Sequence, residues 1–182
     1  MRSHLLNDTT AEQLIERRLV DWTAQRLGLG PAARGMLTGG GDQADLRALR
    51  LARERSGARA PETLRLLTSE DGHEGVRRTA RLLGLGEDAV VAVRADRAGR
   101  MRTVALAREL ERCSRDGLFP LAVVAAAGSP GLGAADPLPE IAELCARYGS
   151  RLHVNTAYGC GLLASRAHRH VLDGVERADS VT

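Results

Sequence analysis

The sequence predicts an α/β fold in which a mainly parallel sheet is wrapped by helices. Apolar segments of strand length alternate with amphipathic segments of helix length from residue 63 onward, with short loops between them. One apolar segment, PLAVVAAAG at 120–128, carries no polar side chain, which is typical of a strand buried on both faces. The length of 182 residues and the hydrophobic content of 43% suffice for a single domain, 1–182, with its own core.

An amphipathic helix is predicted near the start of the chain. Thr10 and Gln13 form a capping-box pattern, and Gly28 and Gly30 are expected to end the helix. Apolar residues recur between these signals at helical spacing, namely Leu14, Ile15, Leu19, Trp22 and Leu27. We therefore expect residues 1–30 to form a helical region ahead of the sheet-containing part, 31–182.

The remaining elements follow from apolar periodicity and from the residues that start and stop helices. The glycine run 39–41 is predicted to open a second helix, and Asp136 to cap a later one that has Pro137 in its first turn. Strands are predicted at 63–67, 89–95, 120–128 and 151–157, with a last strand beginning in 178–182; further helices are predicted at 72–83, 103–115, 137–149 and 162–172. A final strand at the sheet edge needs a partner or a cover.

Composition excludes several functions. All 26 basic residues are arginine, a usage typical of a GC-rich genome, so no side-chain amine of these 182 residues can form a Schiff base. Aromatic residues make up only 2% of the chain, which argues against stacking platforms for single-stranded nucleic acid. Arginines such as Arg77, Arg78 and Arg81 alternate with acids on helical faces, which indicates solvated surface and no nucleic-acid partner.

Cysteine spacing and hydropathy bear on location and metals. Cys113, Cys145 and Cys160 are far apart and form no CxxC pair, so neither a zinc site nor a disulfide framework is expected. Reduced thiols favour a cytoplasmic location. The start of the chain has no apolar signal core, and no segment approaches the roughly 20 apolar residues of a membrane span, so no membrane association is expected.

Two glycine-rich loops and several polar residues are candidates for chemistry. The loop LTGGGDQ, followed by a helix, can bind a phosphate through free N–H groups or can be an ordinary turn, and the loop at 128–137 has the same two interpretations. His73 is either a ligand-stacking imidazole or a helix cap. His153 is interpreted as a core histidine with a hydrogen-bond partner. His168 and His170 lie two residues apart on a predicted helix and so do not face each other, which argues against a metal pair.

Four segments in order resemble the group II pyridoxal-phosphate-dependent decarboxylases, the family of the aromatic amino acid, glutamate, histidine and diaminobutyrate decarboxylases. NDTTAEQLIERRLVDWTAQRLGL is similar to the helix before the family's phosphate loop, and LTGGGDQADLRALRLARE resembles the loop and helix TSGGTESNL. SEDGHEGVRRTARLLGLGEDAVVAV is similar to the segment with the ring-stacking histidine, and the region from 120 to 163 parallels AGTTxTGAIDP and HVDAAYGG. The resemblance implies the large domain of fold type I, the aminotransferase-like fold.

The resemblance also implies a set of cofactor contacts. His73 and Ala157 would lie on the two faces of the pyridine ring, and Ser129 near the substrate. The loop from Gly40 through Gly41 to Asp42 would bind the phosphate. Asn155 falls where the family has the aspartate that binds the protonated ring nitrogen and so keeps the ring able to accept electrons.

Three departures from the family pattern concern this cofactor. A neutral amide at Asn155 cannot hold the ring proton by charge. A carboxylate at Asp42 about 4 Å from a phosphate would be repelled by roughly 4 kcal/mol per charge pair, more than the ~1 kcal/mol of a helix cap. An alternative is that this carboxylate satisfies the loop N–H groups itself and so mimics the absent ligand. The family's catalytic lysine would follow ADSVT and is absent from these 182 residues.

These features favour one function and leave others open. The first is an auxiliary, non-catalytic relative of the decarboxylases that works with a companion decarboxylase-like chain, or as a homo-oligomer, in the metabolism of an amino acid. The second is one half of a split decarboxylase whose lysine comes from the partner. The third is a repurposed pocket in which Asp42, His73 and Asn155 bind another ligand, and the fourth is a gene remnant without a function.

Overall fold

A computed structural model describes residues 10–57, 59–129 and 131–182, and the side chain of His73 lies outside this description. Five strands form one sheet, and every pairing between them is parallel. The strands are β1 (Leu64–Ser69), β2 (Val90–Val93), β3 (Phe119–Ala126), β4 (Arg151–Asn155) and β5 (Ser180–Val181), and they lie in the order β2-β1-β3-β4-β5. The predicted α/β fold with a mainly parallel sheet is confirmed.

Within the described residues, five α-helices connect the strands or precede them. They are α1 (Ala11–Leu27), α2 (Gly41–Arg55), α3 (His73–Leu82), α4 (Thr103–Arg115) and α5 (Leu138–Tyr148). The predicted bounds of α4 match the structure, and those of α3 and α5 differ by one residue at each end. The glycine run 39–41 opens α2 as predicted. None of the helices within the described ranges is both long enough and apolar enough to cross a bilayer.

The core lies on both faces of the sheet, because successive side chains of a strand point to opposite sides. Leu66 belongs to the cluster that packs against α2 and α3, and the next residue, Leu67, belongs to the cluster that packs against α4 and α5. The two clusters bury strand residues such as Val123 and Val124 on opposite faces. This two-sided burial explains the continuous apolar segments that the sequence shows.

The first helix confirms its capping signals but does not bury its apolar face. The Thr10 N–H donates to Gln13 Oε1, the Gln13 N–H donates to Thr10 Oγ1, and Gly28 ends the helix with a φ of 76°. Leu27 is buried against the core. The other apolar residues are at least 45% exposed, namely Leu14, Ile15, Leu19 and Trp22.

The prediction of a helix at 162–172 is wrong. The segment instead forms two short 3₁₀ turns, Gly159–Ala164 and Arg169–Leu172. Leu163 and Leu172 are both buried in the same core cluster, and nine helical steps of 100° would have placed them on opposite faces of one helix. The chain therefore bends so that both leucines reach the core. His168 and His170, expected on a helix, lie in this bent segment.

The cap predicted for Asp136 is also wrong. Pro137 occupies the N-cap position of α5, and no side chain caps it. The Asp136 carboxylate instead accepts hydrogen bonds from the N–H groups of Met101, at 2.6 Å, and Ala126, at 2.8 Å. Burial raises the pKa of Asp136 more than these two bonds lower it. Asp136 thus joins the loop before α4 to the end of β3.

Candidate functional site

The candidate site lies at the carboxyl edge of the sheet, where the ends of the parallel strands meet. Ala126 at the end of β3 pairs with Asn155 at the end of β4. The loops that follow these two strands are in close contact, because a Cβ on Gly159 would lie 1.9 Å from the carbonyl oxygen of Ala127. Only glycine at this position lets the loop after β4 pack onto the end of β3.

Asp45, on the second turn of α2, is the centre of the polar contacts at this edge. Its Oδ1 accepts a hydrogen bond from the Thr182 hydroxyl at 2.7 Å and lies 3.2 Å from His153 Nε2. Its Oδ2 accepts from Asn155 Nδ2 at 3.1 Å. The side chains of α2, β4 and the residue after β5 therefore meet at one carboxylate.

Asp45 is ionised in this environment. Burial by itself would raise its pKa, but hydrogen bonds from His153, Thr182 and Asn155, together with the charge attraction of His153, hold the pKa of Asp45 below its usual value. His153 is 1% exposed, and its second ring nitrogen, Nδ1, lies 2.9 Å from Ser180 Oγ. The prediction that His153 is a core histidine with hydrogen-bond partners is confirmed.

Asn155 is held in one orientation by its neighbours. Its Nδ2 donates to both carboxylate oxygens of Asp45, at 3.1 and 3.4 Å, and its Oδ1 accepts from the Ala157 N–H at 3.1 Å. Swapping the amide oxygen and nitrogen would place an oxygen against the carboxylate and an NH₂ group against an N–H donor. The network therefore specifies that Oδ1 faces the loop after β4.

The glycine loop before α2 does not have the arrangement that the sequence suggested. Asp42 forms an ion pair with Arg78 on α3, and its side chain is 68% exposed. The loop N–H of Gly39 donates to Gln43 Oε1 at 3.2 Å. The alternative that Asp42 itself satisfies the loop N–H groups is therefore wrong, because Arg78 draws its carboxylate to the surface.

The same loop has room and donors for an anion. A Cβ placed on Gly40 or Gly41 would meet no atom within 4 Å. In the described part of the chain, the N–H groups of Gly41 and Asp42 have no hydrogen-bond partner. Free N–H groups at the start of a 15-residue helix attract negative charge, so the loop fits a phosphate.

The other residues implied by the resemblance are placed less completely. His73 begins α3, and its side chain lies outside the described atoms. Ala157 is exposed and directly follows the strand-end residues. Ser129 is tied within its own loop, since its Oγ accepts from the Ala134 N–H at 3.1 Å. Their roles toward a cofactor or substrate remain predictions.

The cysteines and histidines outside this network do not add a metal centre. Within residues 10–57, 59–129 and 131–182, no group of three or more His, Cys, Asp and Glu could hold a metal ion. Cys113 and Cys145 are buried, and burial raises the pKa of Cys145 to about 12. Cys160 is exposed on the loop after β4. The two buried thiols are therefore poor nucleophiles.

Sequence reasoning missed Asp45, although the signal was present. Aligning LTGGGDQADLRAL with TSGGTESNL places Asp45 on the asparagine of the family string and Asn155 on the aspartate of HVDAAYGG. Relative to the family strings, the amide and the acid have therefore exchanged positions. In the structure Asn155 Nδ2 lies 3.1 Å from Asp45 Oδ2. Taken alone, Asn155 indicates only the loss of a charge, and Asp45 is one of several acids on a helix.

Comparison with protein families and curated proteins agrees with the resemblance. Residues 11–182 match the pyridoxal-dependent decarboxylase conserved domain. The chain is 46% identical over 169 residues to the L-2,4-diaminobutyrate decarboxylase of Rhizobium meliloti. The matched region covers 93% of this chain and 34% of that protein. The chain is also 42% identical over 154 residues to the cysteine sulfinic acid decarboxylase of Rattus norvegicus. This matched region covers 81% of this chain and 31% of that protein.

Solved structures give the same result for the fold. Mouse CSAD superposes with a TM-score of 0.87 at 36% identity, over 92% of this chain and 37% of that one. The glutamate decarboxylase domain of a diaminobutyrate-pyruvate transaminase and L-2,4-diaminobutyrate decarboxylase from Vibrio parahaemolyticus also gives 0.87, at 32% identity, over 92% of this chain and 39% of that one. The 182 residues span about a third of the length of the curated relatives they match.

Proposed function

This chain belongs to the pyridoxal-dependent decarboxylase family, and we propose that it forms part of a pyridoxal-phosphate site for amino acid decarboxylation. In this proposal the loop at Gly40 and Gly41 binds the phosphate, and Asn155 contacts the ring nitrogen. The named activities of the relatives, on L-2,4-diaminobutyrate and cysteine sulfinic acid, support an amino acid as the substrate class.

The contact between Asp45 and Asn155 carries the proposal. A cationic pyridine ring needs a negative charge near its nitrogen. Here the Asp45 carboxylate lies 3.1 Å from the amide that occupies the ring-nitrogen position of the family. The negative charge is thus still present at the site, on Asp45 instead of residue 155, and one hydrogen bond links the two side chains.

The loop also supports the proposal. The Asp42 carboxylate, expected to repel a phosphate, is paired with Arg78 and exposed to solvent, so its repulsion is partly neutralised and screened. The N–H groups of Gly41 and Asp42 are free of partners within the described chain, and the space over Gly41 is open. Of the three departures, those at Asn155 and Asp42 are therefore compensated by neighbouring residues.

The chain's own residues would bind and orient the cofactor. The loop N–H groups would hold the phosphate, and Asn155 Oδ1 would accept a hydrogen bond from the ring nitrogen while Asp45 supplies the negative charge behind it. Pyridoxal phosphate, when bound, supplies a ring that accepts the electrons released as carbon dioxide leaves an amino acid. Residues 1–182 contain no lysine, so the amine comes from outside these residues, and we propose a companion decarboxylase-like chain as one source of it.

The binding of 4′-deoxypyridoxine 5′-phosphate tests this function, because this cofactor analogue has no aldehyde and needs no lysine. Isothermal calorimetry should detect binding to the 182-residue chain. Gly41→Glu should weaken it at least about tenfold, since a carboxylate would occupy the open space over the loop. Gly30→Glu is the matched control, because Gly30 also has open space around its Cβ position and lies just after α1, outside the glycine run 39–41. An analogue that does not bind, or that binds both variants equally, contradicts the proposal.

An auxiliary, non-catalytic subunit is the second candidate, and the neutral amide at Asn155, where the family has a carboxylate, favours it. Coexpression with a decarboxylase-like chain from the same genome separates the two candidates. A shared site predicts a complex whose lysine-bound cofactor absorbs visible light and loses occupancy with Gly41→Glu in this chain. An auxiliary role predicts a complex whose cofactor content is unaffected by that substitution.

A further inference from the structure

The orientation of Asn155 determines what it can offer to a ring nitrogen. An amide can present either its NH₂ group, which suits an unprotonated pyridine nitrogen, or its oxygen, which suits a protonated one. In this structure Nδ2 is bound to the two oxygens of Asp45 at 3.1 and 3.4 Å. Oδ1 accepts one hydrogen bond, from the Ala157 N–H, and an amide oxygen has a second lone pair for another donor.

Asp45 also changes the strength of that oxygen as an acceptor. A carboxylate bound to the NH₂ side of an amide polarises the group and adds electron density to the oxygen, as in other hydrogen-bonded chains at low dielectric. His153 is the titratable side chain in contact with Asp45 in the described structure; its Nε2 lies 3.2 Å from Oδ1, whereas Asn155 Nδ2 lies nearest to Oδ2. Thr182 adds a neutral donor to Oδ1.

We propose that Asp45 is a positioning residue for the ring-nitrogen contact: by holding Asn155 Nδ2, it makes Oδ1 the acceptor and favours a protonated ring nitrogen. This inference rests on the proposed cofactor site. It assigns the electrostatic task of a strand-end carboxylate to a carboxylate on α2 that acts through an amide. The negative charge that is missing at residue 155 is thus supplied by Asp45 on α2.

The protonation of the ring nitrogen is the direct readout. We would bind 4′-deoxypyridoxine 5′-phosphate labelled with ¹⁵N in the ring to the 182-residue chain and follow the ¹⁵N chemical shift against pH. The midpoint of ring protonation should lie higher in the complex than in free ligand. Asp45→Asn should lower the bound midpoint by about one pH unit or more, which is a tenfold change in the protonation equilibrium.

Two further variants keep the test informative if Asp45→Asn does not fold. Asn155→Ala retains Asp45 with His153 and Thr182 but removes the acceptor, and it should lower the midpoint in the same way. The reciprocal exchange, Asp45→Asn with Asn155→Asp, places a carboxylate directly at the ring position and should return the midpoint to the wild-type value or above. Asp116→Asn, an exposed acid at the end of α4, is the matched control for removing one charge.

The outcomes distinguish this inference from the proposed function. If the analogue binds and its ring nitrogen is unprotonated, or its midpoint is the same with Asp45→Asn and Asn155→Ala, the role of Asp45 is overturned while the cofactor site stands. If the wild-type chain and all variants fail to bind the analogue, the cofactor site itself is overturned, and the role of Asp45 with it.

Discussion

Two carboxylates three residues apart on α2 have opposite surroundings. Asp42 is 68% exposed and pairs with the Arg78 guanidinium on the neighbouring helix. Asp45 has a side chain that is only 16% exposed, and it accepts hydrogen bonds from residues of β4 and from Thr182. Three residues correspond to 300° around a helix, so the two side chains leave α2 about 60° apart. Of the two acids, Asp45 contacts the end of β4, whereas Asp42 contacts Arg78 on α3.

The difference shows which acid belongs to the site. An exposed ion pair is screened by water and contributes little to stability or to the field inside a pocket. A carboxylate enclosed by donors retains its charge next to the position where a ligand would bind, and its effect there is larger because the local dielectric is lower. Charge at this edge is thus controlled by Asp45, and Asp42 affects mainly the surface of the loop.

Removing one or the other of these two carboxylates should have its largest effect on the stability of the fold. Asp45→Ala should lower the free energy of unfolding by about 3 kcal/mol, because His153 and Asn155 would be left as buried donors without an acceptor. Asp42→Ala should change it by less than about 1 kcal/mol, since its ion pair is exposed. Chemical denaturation at neutral pH measures both. Equal losses for the two variants would show that the carboxylates do not differ as described.

The pH dependence of stability sharpens the same contrast. The pKa of Asp45 is lowered in the folded chain, so its stabilising contribution is present above the unfolded value, near about 3.9, and is lost as pH falls through the folded pKa. Wild-type stability should therefore fall more steeply below about pH 4 than that of Asp45→Asn. Denaturant titrations at several acidic pH values measure the slopes, with Asp42→Asn as the control that should follow the wild type. Parallel curves for Asp45→Asn and wild type would contradict the assignment.

The smallest expected effect concerns the loop and its ligand. Asp42→Asn removes a screened negative charge near the phosphate position and should tighten binding of 4′-deoxypyridoxine 5′-phosphate by about two- to fivefold at low salt. Arg78→Ala leaves Asp42 without its partner and should weaken binding by a similar factor. Calorimetry at two salt concentrations measures both, and the two effects should shrink at the higher one. If neither substitution changes the affinity, Asp42 lies outside the reach of the phosphate.

Local signals in the sequence were sufficient for most of the fold. The capping box at Thr10, the strand PLAVVAAAG and the bounds of α4 depend on residues close together in the chain, and each appears in the structure. The turns between 159 and 172 were missed because their shape is set by where Leu163 and Leu172 reach the core. That requirement comes from tertiary packing and leaves no local period in the sequence.

The site was only partly predictable for the same reason. The position of Asn155 at a strand end was identifiable from the strand and the loop around it. The contact with Asp45 joins residues 110 positions apart, and the ion pair that moves Asp42 to the surface joins α2 to α3 across 36 positions. Spacing within a sequence does not report such contacts, so the carboxylate that matters was overlooked in favour of one three residues earlier.

A double-mutant cycle between Asp45 and Asn155 tests the central claim most directly, namely that one carboxylate and one amide share the strand-end site. The free energy of unfolding at pH 7 would be measured for wild type, Asp45→Asn, Asn155→Asp and the reciprocal double exchange. We predict that each single substitution costs about 2 kcal/mol or more, because Asp45→Asn removes the ionised acceptor and Asn155→Asp brings two carboxylates into contact. The double exchange should return to within about 1 kcal/mol of wild type, whereas additive losses would contradict the claim.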